Sequence, residues 1–264
     1  MAGPDCTDPK HENKPICGGS GSEDPPVLVA CPAGTLCIAD IGKPIDPSPA
    51  KEFVARFGGL GKYTKIPSNE ISNILAGLPE ESPAQSLCDA YHVLIFNWSS
   101  PTIKNLTWQR LLDYMSCGGG IVFEDPKHVD DISDGVSIAQ IDLHSRHEAP
   151  LAVTLQPVAI LTIGDPLTAN INPTPMAPFV LTFINKHIIF ANSAGLTPFM
   201  WLADGSIAGL YGQFGVFGAG RGRIVLTGPD NNYHGDDDPT PTDPYDLEAL
   251  NHYNLLFNEL LWIL

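Results

Sequence analysis

Two short apolar runs on either side of an amphipathic segment constrain this chain more than any other feature. Val93-Leu94-Ile95-Phe96 and Ile121-Val122-Phe123 are unbroken apolar runs, the pattern of strands covered on both faces. Between them Trp108, Leu111, Leu112 and Met115 recur at i, i+3, i+4 and i+7, which gathers them on one side of a helix. Gly118-Gly119-Gly120 then ends that helix, because glycine takes the left-handed cap conformation at little cost. Strand, helix and strand in this order make a right-handed crossover with parallel strands. The stretch from Tyr91 to Pro126 is therefore the unit around which the remaining elements are expected to be added.

The predicted additions follow from local pattern. Residues 1–25 carry prolines, glycines and charges without an apolar period, so they are expected to form a flexible arm, with one α/β domain over 26–264. Val27-Leu28-Val29-Ala30 reads as the first strand, with Cys31 and Cys37 in the loop after it. Pro49 opens a short helix with Phe53, Val54 and Phe57 on one face, stopped by Gly58-Gly59. Tyr63 to Ile66 reads as a strand, and Ile71, Ile74, Leu75 and Leu78 form a second helical stripe. Residues 127–150 are polar and suit an excursion over the surface. Val153–Ile163 and Phe179–Ala191 read as strands, the latter broken at Asn185-Lys186. Ile207–Tyr211 and Gly215–Phe217 read as antiparallel additions, and Arg223–Thr227 as a further strand. A final helix buries Leu250, Tyr253, Phe257, Leu260, Leu261 and Leu264.

Composition limits the partners. With 14 Lys plus Arg against 30 Asp plus Glu, the formal net charge of −16 disfavours nucleic acid and anionic membranes and tolerates cations or neutral sugars. No apolar run approaches the roughly 20 residues that span a bilayer. The 6 cysteines fall at positions 6, 17, 31, 37, 88 and 117. Cys6 with Cys17 and Cys31 with Cys37 are spaced for small disulfide loops, and the CxxC pair usual for zinc is absent. Disulfides imply an oxidising compartment. Met1-Ala2 before a polar segment reads as a start placed on a mature secreted chain, so a secreted or periplasmic location is expected.

In an open parallel sheet, ligands bind outside the carboxyl ends of the strands. That rule nominates Asn97 and Trp98 after the strand ending at Phe96, and Glu124 and Asp125 after Phe123. It also nominates Asp230, Asn231 and, slightly later, His234 after Thr227, with Asn192 leaving a neighbouring strand. Such oxygens suit either a hard divalent cation such as calcium or acid and base roles. Asp125-Pro126 and Asp230-Asn231-Asn232 are equally the residues of caps and turns. The Asp236-Asp237-Asp238 run lacks EF-hand spacing, and His144 with His147 offers two metal ligands where zinc needs three. Gly218-x-Gly220-x-Gly222 precedes a strand, which is the wrong order for a phosphate loop. Cys117 and Cys88 read as a structural disulfide or buried thiols rather than nucleophiles.

The passage Tyr91-His92-Val93-Leu94-Ile95-Phe96, Leu106-Thr107-Trp108-Gln109-Arg110-Leu111-Leu112-Asp113-Tyr114 and Gly118-Gly119-Gly120-Ile121-Val122 resembles the central part of the class I glutamine amidotransferase-like superfamily. It is most similar to the branch related to trehalose-utilisation (ThuA-like) proteins. Asp165-Pro166-Leu167-Thr168, Arg223 to Asp230 and the closing helix extend the likeness, which covers about residues 90–264. The resemblance implies a flavodoxin-like, mainly parallel sheet with helices on both faces. It does not carry the activity, because Phe123-Glu124-Asp125-Pro126-Lys127 stands where the family has its Gly-x-Cys-x-Gly elbow. Asp230-Asn231-Asn232 likewise stands in place of its His-Pro-Glu motif. Asp125 and Asp230 thus occupy the places where that superfamily does its chemistry.

These residues give three expectations. One is binding of a small polar ligand, a carbohydrate, with Trp98 stacking and carboxylates meeting hydroxyls. The second is a hydrolase using Asp125 or Glu124 with His234, assisted by a divalent ion. The third is a structural or adhesive extracellular module.

Overall fold

The computed structural model describes residues 28–42, 48–56, 60–67, 83–96, 105–124, 145–148, 158–161, 165–168, 179–180, 187–202, 204–213, 222–228 and 244–264. The elements are β1 (Leu36–Ile41), α1 (Pro49–Ala55), β2 (Gly61–Ile66), α2 (Pro83–Ala90), β3 (Val93–Phe96), α3 (Asn105–Ser116) and β4 (Gly120–Glu124). After them come β5 (Ser145–Glu148), β6 (Val158–Leu161), a 3-10 turn at Pro166–Thr168, β7 (Phe179–Val180) and β8 (His187–Phe190). The chain ends with β9 (Thr197–Leu202), β10 (Ile207–Gln213), β11 (Arg223–Thr227) and α4 (Pro244–Ile263). All the described strands join one sheet, in the order β2-β1-β3-β4-β11-β10-β9-β6-β7, with β8 attached to β10 and to β5.

The half of the sheet from β2 to β11 is parallel, and β10, β9, β6 and β7 extend it antiparallel. This is the α/β, flavodoxin-like architecture expected from the crossover unit. β3 and β4 are buried along their whole length, as their unbroken apolar runs require. Alternate side chains supply two cores. Ala39, Leu94, Phe96, Ile121, Phe123, Ile224 and Leu226 face Leu87 of α2 and Leu111, Tyr114 and Met115 of α3. Ile38, Val93, Ile95, Val122 and Val225 face Ala50, Phe53 and Val54 of α1 and Leu255, Leu256, Leu260 and Ile263 of α4.

The triple glycine has a separate reason at each place where the chain tightens. Gly118 has φ +109°, a left-handed conformation that ends α3. A Cβ on Gly119 would lie 2.1 Å from Cζ of the buried Tyr114 ring. A disulfide from Cys88 to Cys117 ties the end of α2 to this turn and closes a sequence separation of 29 residues. A crosslink of that span is worth roughly 3–4 kcal/mol in chain entropy.

Several expectations are corrected. Leu28 to Ala30 has no regular structure, and the first strand is Leu36–Ile41. The apolar Val27–Ala30 run lies between prolines, whereas the true strand carries a buried aspartate, Asp40, that disguises it. Cys37 therefore sits inside a strand, not in a loop. Residues 145–148 form β5, paired antiparallel with β8, where a surface excursion was expected. His147 is thus in a strand; His144 is outside the described residues. In α4, Leu261 and Leu264 are exposed, and Leu255, Leu256 and Ile263 are buried in their place. The predicted stripe at Ile71–Leu78, the arm over 1–25 and Gly215–Phe217 lie outside the described residues.

Asp165, in the Asp-Pro-Leu-Thr segment, links β10 to α4 on the α1 and α4 face. Its Oδ1 accepts the Leu167 N–H at 2.9 Å and its Oδ2 accepts the Tyr211 hydroxyl at 2.8 Å. The Leu167 carbonyl in turn accepts Asn258 Nδ2 of α4 at 2.9 Å. Burial, then the hydrogen bond and negative charge of Asp165, push the Tyr211 phenol from its ordinary 10.0 up to about 12. The folded state therefore keeps this proton at pH values where the unfolded chain has lost it, and stability falls as pH rises from about 10 to about 12. Tyr211→Phe should flatten that part of the stability curve, measured by urea unfolding at a series of alkaline pH values, with the curve below pH ~9 keeping its shape.

Candidate functional site

Strand register decides which chain exits meet. Ile41 pairs with Phe96, Phe96 with Phe123, and Glu124 with Thr227, all in parallel ladders. The carboxyl ends of β1, β3, β4 and β11 thus finish within a residue or two of one line. Neighbouring strands lie ~4.8 Å apart, so the exits after Phe96, Phe123 and Thr227 are spread over about 10 Å of a single rim. β10 reaches the same edge, since Gly209 pairs with Thr227 and Ile207 with Phe190 of β8. Asn192, two residues after β8, is half-buried at that edge.

Beneath the rim, on the α1 and α4 face, lies a floor of buried polar side chains. Asp40, Glu124 and Thr227 are each two residues beyond an apolar residue of that face, namely Ile38, Val122 and Val225. Alternation carries them to the same side, and each is at most 2% exposed. Ser48, at the N-cap of α1, is buried as well. The direction of α4 adds two more groups. A Cβ on Gly120, the first residue of β4, would meet Ile263 Cγ2 at 2.1 Å, and Arg223 Nη1, at the start of β11, donates to the Trp262 carbonyl. The C-terminus of α4 therefore covers the amino ends of the strands, and its earlier turns point toward the carboxyl edge. Asn251 and His252, both buried, lie on those turns.

The charge of Asp40 is compensated locally. The Tyr63 hydroxyl of β2 donates to Asp40 Oδ2 and shares a second hydrogen bond, at 3.2 Å, with Ser48 Oγ. Lys65 Nζ stands 3.8 Å from the same carboxylate oxygen. The Asp40–Lys65 register pair places both side chains on one face of neighbouring strands, so the ion pair follows from the ladder. A buried carboxylate without such partners would be several kcal/mol unfavourable, roughly.

Of the residues nominated from sequence, Glu124 closes β4 as part of the buried floor and Asn192 lies at the shared edge. Asn97, Trp98, Asp125, Asp230, Asn231 and His234 are outside the described residues, as is the Asp236–Asp238 run. Sequence reasoning missed Asp40, Ser48, Tyr63, Asn251 and His252. Asp40 was legible as a lone acid inside the apolar Cys37–Ile41 run, a signal that functional strand ends often carry. His252 shares the i, i+4 spacing with Leu256 on the buried side of α4.

No family model matches the sequence, and no curated protein matches it. Solved structures do share the fold. The chain is similar to the mmIFT52 N-terminal domain, with a TM-score of 0.53, 8% identity and coverage of 86% of this chain and 96% of that one. It is also similar to the cytoplasmic protein STM3548 from Salmonella typhimurium, with a TM-score of 0.54, 12% identity and coverage of 86% and 98%. A ThuA-like protein from Parabacteroides merdae is among the neighbours, with a TM-score of 0.46, 13% identity and coverage of 87% and 90%. At 8% and 12% identity, the first two likenesses show the fold alone. Among the described residues, no helix is long and apolar enough to cross a membrane.

The floor makes a mutational forecast. Tyr63→Phe removes the hydroxyl shared by Asp40 and Ser48 and should destabilise the protein by about 1–3 kcal/mol. Tyr63→Phe in an Asp40→Asn background should cost less, because an amide leaves no unpaired charge behind. Urea unfolding of the two single variants and the double variant measures this coupling.

Proposed function

We propose that this protein is a non-amidotransferase member of the ThuA-like branch that binds a small polar ligand, a carbohydrate, at the carboxyl edge of its sheet. What supports the reading most is the parallel register of β3, β4 and β11, which empties three polar exits onto one rim above Asp40, Glu124 and Thr227. In this reading Trp98 stacks on the sugar face, Asn97, Asn192, Asp230 and Asn231 engage hydroxyl groups, and Glu124 and Asp125 accept from them. The lack of the Gly-x-Cys-x-Gly and His-Pro-Glu motifs argues against glutamine hydrolysis through a cysteine. A secreted or periplasmic location accords with the disulfides Cys31–Cys37 and Cys88–Cys117.

A hydrolase reading shares the same rim, with Asp125 or Glu124 and His234 as acid and base and a divalent cation such as calcium as helper. Glu124 is the member of that set which the described residues include, at the carboxyl end of β4. Isothermal calorimetry with a panel of neutral mono- and disaccharides, with and without calcium, separates the readings. Saturable heat from one sugar class, weakened roughly 2- to 10-fold by Trp98→Ala, is the expected result. Absence of heat from every sugar, with no change in melting temperature, would remove the binding proposal. Turnover of a bound glycoside that Asp125→Asn or His234→Ala abolishes would move the assignment to the hydrolase.

A further inference from the structure

Away from the proposed binding rim, at the amino ends of β1 and β3, Cys31, Cys37 and His92 form a cluster that the ligand reading does not use. The Sγ atoms of Cys31 and Cys37 and a ring nitrogen of His92 all lie within 4.8 Å of one another. The two cysteines are joined as a disulfide. His92 is fixed to the same strand by two hydrogen bonds: its backbone N–H donates to the Cys37 carbonyl at 2.8 Å, and its Nδ1 accepts the Cys37 N–H at 3.1 Å. An Nδ1 that accepts an N–H carries no proton. That Nδ1, a nitrogen of the kind that ligates zinc, faces the cysteine pair.

We propose that this cluster is a disulfide-gated zinc site, closed while Cys31 and Cys37 are bonded and competent once they are reduced. The geometry is near what zinc requires. Ligands at about 2.3 Å for sulfur and about 2.05 Å for nitrogen in a tetrahedron stand ~3.6 Å apart. Cys31 Sγ is already 3.9 Å from His92 Nδ1. Opening the disulfide lets the sulfurs separate to the ~3.8 Å of two thiolate ligands, and Cys31, half-buried before β1, moves more easily than the buried Cys37 within it. The three protein ligands leave a fourth position for water. Metal there competes with one hydrogen bond, that from the Cys37 N–H.

The redox step balances with a dithiol reductant. It supplies two electrons and two protons, its own sulfurs join, and the Cys31–Cys37 bond becomes two thiols. Zn2+ then displaces both protons and takes two thiolates and the neutral imidazole. The pair does not read as CxxC because the cysteines stand 6 residues apart, and the third ligand comes from the residue before β3, 55 residues along from Cys37.

The test uses the full chain, oxidised or reduced with a phosphine, and Co2+ and Zn2+ as probes. The reduced protein, with its circular dichroism unchanged, should take up one equivalent of Co2+ with thiolate-to-cobalt charge-transfer absorption that Zn2+ displaces, and the oxidised protein should not. His92 is exposed, so His92→Gln leaves the core intact. It should weaken Zn2+ binding roughly 100-fold or more, beyond the loss typical of an outer-shell change. Cys31→Ser with Cys37→Ser should abolish the charge-transfer band while Cys88 and Cys117 remain. No band in the folded reduced protein, loss of the fold on reduction, or a band of equal strength in His92→Gln would each overturn the proposal and leave a structural disulfide only.

Discussion

The parallel pairing of β4 with β11 is the constraint on which the molecule's functional geometry depends. The two strands are separated by about a hundred residues, and the antiparallel half of the sheet is built from the chain between them. Only a parallel ladder sets Glu124 beside Thr227. With β3 in register on the other side, strands remote in sequence then end along one edge. The apolar runs of β3, β4 and β11 make that ladder stable, because each is buried on both faces between helices.

Below that edge the second core changes character from apolar to polar within one strand repeat. Ile38, Val122 and Val225 give way to Asp40, Glu124 and Thr227, and the opposing helix offers Asn251 and His252 on its early turns. Such a band is costly to bury unless its members are paired, and Tyr63, Ser48 and Lys65 perform that task for Asp40. A stabilising role alone is better served by apolar residues of similar volume. The polar floor lies beneath the rim, and it is chiefly this that gives the proposed function its physical basis. On the same face of the sheet, the Asp165 bonds to Tyr211 and the 3-10 turn tie β10 to α4.

Much of the scaffold was legible because its signals are periodic. The crossover from Val93 to Glu124, the α1 opening at Pro49, the strands β2, β10 and β11 and the closing helix all follow from apolar spacing and Pro/Gly punctuation. The failures have identifiable causes. β1 was displaced because a buried aspartate broke the apolar reading, and only the Tyr63 and Lys65 partners supplied by β2 make that burial tolerable. β9 was overlooked because Thr197-Pro198 looks like a turn, while its Phe199 and Met200 are fully buried against β10. The outer leucines of α4 were misassigned because the buried side of the helix runs through Leu255, Leu256, Leu260 and Ile263 instead. Of the site, the edge, Glu124 and the lone acid Asp40 could be read from topology and pattern, but the rest of the floor could not. Asp40 and His252 are distant in sequence, and only the direction of α4 brings His252 to the carboxyl side.

The pairing of β4 and β11 can be observed directly by cross-strand nuclear Overhauser contacts in the labelled protein. A parallel ladder predicts contacts linking Val225 with Val122 and Thr227 with Glu124, with none between Glu124 and Arg223. Contacts between Glu124 and Arg223 would mean an antiparallel pair, with the exits after Phe123 and Thr227 at opposite ends of the sheet, and the shared rim would not exist.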